Sequence, residues 1–188
     1  MKNTHYIICA LAVSLTAIAL LSGSTDAACA GDPSMSVADA CHKTSAWQGQ
    51  RELELCQKTL HGAKDGLTAS AYGVVAVRAA LQSSEATEGA GKKLAQEPKI
   101  SEGARAMYQS CVDMYGFARA DVAAMEGALK ACSPADFRRV WEGALASVDA
   151  CARKLRLVDG DVLHSTVSAD RERIMLAFIL GGLSFPKW

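Results

Sequence analysis

The chain has 188 residues, with 20 Lys+Arg against 20 Asp+Glu, 50% hydrophobic residues and 6% aromatics. A formal charge of zero, with no basic run longer than Lys92-Lys93, Arg138-Arg139 or the broken Arg153-Lys154-Leu155-Arg156, excludes a phosphate-neutralising stripe, so no nucleic-acid partner is expected. Abundant Ala, Leu and Val with only four prolines exclude disorder and leave material for one ordinary domain.

The first element is a leader. Tyr6 to Leu21 is apolar except for Ser14 and Thr16, follows Lys2 and His5, and gives way to Ser22-Gly23-Ser24-Thr25-Asp26-Ala27-Ala28. The run is shorter than the roughly 20 apolar residues of a membrane span and closes on the small residues a signal peptidase accepts. The expectation is a signal peptide over 1–28, a domain over 29–188 and no membrane association after cleavage. Ala28-Cys29-Ala30 also fits the small-x-small rule, and cleavage there would remove Cys29. Six of the seven cysteines follow the leader: Cys29, Cys41, Cys56, Cys111, Cys132 and Cys151. An even count in an oxidising compartment argues for disulfides over metal binding or catalysis.

Nearly every long segment after the leader has a helical period. Two short helices are expected at Ser36 to Thr44 and Arg51 to His61, joined by a turn within Ser45-Ala46-Trp47-Gln48-Gly49. A longer one runs from Asp65 to about Ser84 through Leu67, Ala71, Val74, Val75, Arg78 and Leu81. The polar stretch from Ser83 to Lys99, interrupted by Gly89 and Gly91 and closed by Glu97-Pro98, reads as loosened chain. Ala104, Tyr108, Cys111, Tyr115, Ala118, Val122, Met125 and Leu129 then draw one apolar stripe, started by Ser101-Glu102 and ended by Cys132-Ser133-Pro134. Ser133 as N-cap, Pro134 in the first turn and Asp136 three residues on begin the next helix. Its apolar face passes through Phe137, Val140, Trp141, Ala144, Leu145, Val148, Cys151 and Leu155 to a stop at Asp159-Gly160-Asp161. The last helix runs from near Ser168 through Ile174, Met175 and Phe178 to Gly181-Gly182. The fold class that results is all-α, an up-and-down antiparallel four-helix bundle with an N-terminal helical hairpin.

Cysteine positions bear on that topology. In a helical hairpin two residues face each other when they are equally far from the turn, because each advances the axis by about 1.5 Å. Cys111 and Cys151 are equidistant from residue 131, beside the turn placed at 132–134. Cys41 and Cys56 are equidistant from the Gln48-Gly49 step. Both pairs are therefore expected to be bridged, which makes the bundle disulfide-stapled. Cys29 and Cys132 remain, and the third bridge between them stays open at this point.

Catalytic and metal-binding patterns are missing from the reading. His42, His61 and His164 lie in separate segments, no Cys/His spacing suits zinc, and no nucleophile elbow or phosphate loop occurs, so neither metal, cofactor nor enzymatic activity is expected. Asp159/Asp161 flank a turn and Asp170/Glu172 sit where acids favour a helix start.

The order and spacing of several segments resemble the plant invertase/pectin methylesterase inhibitor family. They are the leader, Ala40-Cys41-His42-Lys43-Thr44, Cys56-Gln57-Lys58-Thr59-Leu60, Tyr108-Gln109-Ser110-Cys111-Val112-Asp113-Met114-Tyr115, and Glu142-Gly143-Ala144-Leu145 ahead of Cys151. The resemblance spans nearly all of the chain after the leader. It implies a hairpin-capped four-helix bundle with these two disulfides, secreted to the apoplast, that binds an extracellular carbohydrate-active enzyme one to one and blocks its cleft. There are departures. The Cys41–Cys56 segment is longer than in many members, and a usual Ser-Ala-Ala-Leu-Thr segment is here Glu142-Gly143-Ala144-Leu145-Ala146. The Pro-Lys-Phe element expected of invertase inhibitors is replaced by Pro134-Ala135-Asp136-Phe137. The expected target is accordingly a pectin methylesterase, with an acid invertase as the alternative and a helical carrier of an apolar ligand as the reading from another class. Docking is expected from the second to fourth long helices, with Asp113, Asp121, Arg138 and Arg139 as contact residues.

Overall fold

The computed structural model describes residues 29–158 and 162–185. The leader and the Asp159-Gly160-Asp161 stop lie outside these. Among the described residues there are six helices: α1 (Val37–Gln48), α2 (Gln50–Thr59), α3 (Ala69–Ala95), α4 (Glu102–Lys130), α5 (Pro134–Leu155) and α6 (His164–Gly182). None of them is long and apolar enough to cross a membrane.

Local chemistry explains most boundaries. Ser36, Thr68, Ser101 and Ser133 each accept the backbone N–H three residues on, capping α1, α3, α4 and α5. At α1 and α5 the same serine hydroxyl also donates at 2.7 Å to the carboxylate of Asp39 or Asp136, so the cap is reciprocal. A single residue, Gly49, separates α1 from α2, at φ 87°, a left-handed value that a side chain would strain. The α4 end is a Schellman turn: Ser133 N–H bonds Ala128 O at 3.0 Å and Cys132 N–H bonds Leu129 O at 3.1 Å. Cys132 occupies the position such turns usually give to glycine, at φ 52°.

The structure corrects four sequence expectations. Residues 83–95 are not loosened but continue α3, which begins at Ala69 instead of Asp65. Their polarity is absorbed by neighbours: Ser84, Thr87, Glu88, Gly91 and Ala95 are all buried against the bundle. The last helix starts at His164, a turn earlier than expected, and α1 extends to Gln48.

The long helices pack in ring order, α3 on α4, α4 on α5, α5 on α6, and α6 back on α3, with the α1–α2 hairpin against α6 and the start of α3. Tyr72, Tyr115, Phe137, Met125, Leu129, Leu155, Ile174 and Leu180 fill the centre. The α3 and α6 backbones touch where Gly73 faces Gly181: a Cβ on Gly73 would sit 2.7 Å from Gly181 Cα. The sulfurs join Cys41 to Cys56, Cys111 to Cys151 and Cys29 to Cys132, with Cα separations of 5.4, 4.6 and 5.4 Å, all within the range a disulfide requires. The first staples the hairpin, the second ties α4 to α5, and the third fastens the N-terminal segment to the α4–α5 turn.

One polar cluster is built into the core. Asp170 of α6, wholly buried, accepts from Thr87 Oγ1 at 2.6 Å, from Tyr115 Oη at 2.9 Å and from Ser83 Oγ, with Arg173 Nη1 3.5 Å away. Burial, and then the adjacent Asp170, raise the Tyr115 phenol pKa far above its ordinary value, so it remains a donor. Asp170 is therefore the acceptor that unites α3, α4 and α6, a role its sequence neighbourhood does not announce.

Candidate functional site

The best-formed candidate surface is the outward face shared by α4 and α5. Along α4 a one-turn spacing aligns Asp113, Phe117 and Asp121 on one row. Phe117 is 62% exposed, a large aromatic on solvent where a phenyl ring contributes nothing to the core. Its neighbours one turn away on the helix are Asp113, Met114, Ala120 and Asp121, with Ala124 a turn beyond, so small side chains leave room for a partner on one side of the ring.

The flanking charges are held in different ways. Gln109 Nε2 donates to Asp113 Oδ1 at 3.2 Å, holding that exposed carboxylate over the preceding turn. Asp121 is half-buried, tucked against α5 at Gly143, where a Cβ would lie within contact of the Asp121 carboxylate and force it out. Burial raises the Asp121 pKa, and the nearby Arg139 guanidinium opposes that rise. Arg139 itself pairs with Asp136 at 3.2 Å, both exposed. The Ser133 hydroxyl and then Arg139 hold the Asp136 carboxyl below its usual range.

Of the four residues expected to make contacts, Asp121 and Arg139 come together across the α4–α5 seam, and Asp113 lies two turns along the same α4 row. Arg138 is exposed on the first turns of α5 beside Arg139. Sequence reasoning missed Phe117. The signal was available: Phe117 falls off the apolar stripe that runs through Tyr115 and Ala118, and an aromatic out of phase with its own helix is a surface residue.

Two other features stand apart from this face. A cleft of about 390 Å³ between the end of α3 and the start of α4 is lined by Lys92, Gln96, Glu102, Arg105 and Gln109. Its cations are engaged: Lys92 with Glu88, and Arg105 with the carbonyls of Ala95 and Glu97. The α3–α4 seam above it carries ion pairs of Arg119 with Glu85 and Glu88, and of Glu126 with Arg78 and Lys130. The pairs of Arg119 with Glu85 and Glu88 and of Arg78 with Glu126 join α3 to α4, while Lys130 pairs with Glu126 within α4. Pro134-Ala135-Asp136-Phe137 is not a presentable loop: Pro134 opens α5, and Phe137 is wholly buried, its ring stacked 5.8 Å from that of Phe178.

No protein-family model matches the sequence, and no curated protein does. Solved structures do. A mutant form of a pectin methylesterase inhibitor from Arabidopsis aligns with TM-score 0.65 over 78% of this chain and 95% of that one, at 14% identity. This chain has the fold of that inhibitor. A pectin methylesterase inhibitor from Arabidopsis thaliana aligns similarly, at TM-score 0.60 and 14% identity, over 81% of this chain and 97% of that one. Nearly the whole of each inhibitor is therefore matched, although six of every seven aligned residues differ. What persists at that identity is the helical framework expected from the resemblance in the sequence.

Proposed function

We propose that this protein is a secreted inhibitor of a pectin methylesterase, released from its leader as residues 29–188 and docking the α4–α5 face into the enzyme's active-site cleft, one to one, in the apoplast. The observation that carries the reading is Phe117, exposed between Asp113 and Asp121 with small side chains on one side. An aromatic anchor flanked by polar groups is the pattern of a binding hot spot. The likeness of the whole fold to pectin methylesterase inhibitors supports the class of target. In this reading Arg138 and Arg139 add cationic contacts at one end of the face, and the disulfides keep the helices rigid enough to dock with little loss of entropy.

An acid invertase is the second reading. Burial of Phe137 weighs against it, because the nearest counterpart of the invertase-directed element has its aromatic ring in the core. The deciding experiment titrates the oxidised protein into each enzyme. Methyl-ester hydrolysis should be lost at a near-equimolar ratio while sucrose cleavage is untouched. The opposite result gives the invertase reading, and no effect on either enzyme, with an apolar ligand copurifying, gives the carrier.

A further inference from the structure

The α1–α2 hairpin is joined internally by Cys41–Cys56 and pinned at its base. Met35 N–H bonds Leu67 O and Gly66 N–H bonds Met35 O, each at 3.1 Å, while Val37 N–H bonds Asp65 Oδ1 at 2.8 Å. Among the described residues no disulfide links it to α6, the helix it lies on. The tip is held differently from the base. Just past Gly49, Arg51 Nη2 reaches Glu172 Oε1 of α6 at 2.8 Å. The next residue, Glu52, is only 4% exposed, and its Oε1 is buried with no hydrogen-bond partner. The charges that bear most on Glu52 are Glu172 from α6, which repels its carboxylate, and Arg51 from its own helix, which attracts it. One solvent-exposed guanidinium thus serves two carboxylates, of which Glu52 has an oxygen buried without a partner.

We propose that the hairpin tip is a proton-operated latch: with Glu52 neutral the tip rests on α6, and with Glu52 ionised opposite Glu172 it lifts away about the pinned base. A neutral carboxyl is tolerated in a dry, donor-poor site far better than a carboxylate. Burial first, and the Glu172 charge second, raise the Glu52 pKa from its ordinary 4.5, with Arg51 opposing. The docked tip therefore keeps its proton to higher pH than the lifted tip does. The proton's contribution to docking is fully present below about 4.5 and is lost as pH rises from there through the docked-state pKa, by at most about tenfold per pH unit for one proton. The flank of α6 under the hairpin becomes accessible only as the solution turns towards neutral.

Amide hydrogen exchange on the oxidised protein between pH 4 and 7.5, expressed as protection factors, reads the latch directly. Protection in α2 and the facing turns of α6 should fall with pH, while amides around Cys111 and Cys151 keep theirs. Glu52→Gln should flatten the fall. Glu172→Gln, which removes the repulsion and leaves Glu52 in place, should make the total loss smaller, and it serves as the test if Glu52→Gln does not fold. A wild-type profile for α2 that is flat with pH, or one that either glutamine variant leaves unchanged, overturns the latch.

Discussion

Asp170→Ala removes the acceptor on which hydroxyls from two other helices converge. Thr87 and Tyr115 are 2% and 1% exposed, so neither can turn to water once the carboxylate is gone. A buried donor left unpartnered costs about 1–3 kcal/mol. Two such donors and the small void give about 4 kcal/mol, a large part of the roughly 5–15 kcal/mol that holds an ordinary domain together. For a chain of this size the midpoint of thermal unfolding should fall by about 10 °C. Tyr115→Phe alone deletes one donor and leaves Asp170 its others, so it should cost about 1.5 kcal/mol. In the double variant the tyrosine donor is no longer stranded, and the two losses should fall short of additive by about 1–2 kcal/mol. Urea unfolding followed by far-ultraviolet circular dichroism, with disulfides intact, measures all three. A loss below about 1 kcal/mol for Asp170→Ala, or additive losses, would refute the view that this acceptor clamps α3, α4 and α6 together.

Four further outcomes are expected. Phe117→Ala should weaken inhibition of the target esterase at least tenfold while leaving the unfolding midpoint unchanged, since the ring is exposed; inhibition curves and melting curves on one preparation check both. Gly73→Ala should destabilise by about 1–3 kcal/mol despite the better helix propensity of alanine, because the added methyl meets the Gly181 backbone, and equilibrium unfolding would expose a neutral result. Cys111→Ser should cost about 4 kcal/mol by loop-closure entropy and abolish inhibition through loss of fold, and peptide mapping of the unreduced parent should recover the three bridged pairs. Glu126, whose carboxyl Arg78 and then Lys130 hold down to about 2, gains stability from its partners that is fully present above 4.5 and lost as pH falls through 2. Arg78→Met should therefore lower the melting temperature at pH 6 and make little difference at pH 2.

The stripes of α4 and α5, their serine caps and the Pro134 start were legible in the sequence because each depends on contacts within a turn or two. So was the pairing of Cys111 with Cys151, since helical rise alone sets which positions are level across a hairpin. The Asp113–Asp121 row could be read in the same way. Phe117 was as legible as its neighbours, and was missed because only the buried stripe was followed.

Residues 83–95 show where local reasoning ends. Two glycines and a polar run argue against helix in isolation, yet Gly91 makes room for Val112 and Leu163, and Glu88 finds Arg119 on α4. Those partners are distant in the chain, and only packing brings them near enough to outweigh propensity. The same holds for Asp170, which reads as an ordinary first-turn acid until α3 and α4 deliver hydroxyls to it. It holds also for the contact of Gly73 with Gly181 and for the Cys29–Cys132 bridge, which depends on which end of the bundle the N-terminal segment enters. Periodicity and capping are properties of neighbouring residues and belong to the sequence; desolvation, close approach and the company a buried charge keeps depend on how the helices meet, and those the tertiary structure decided.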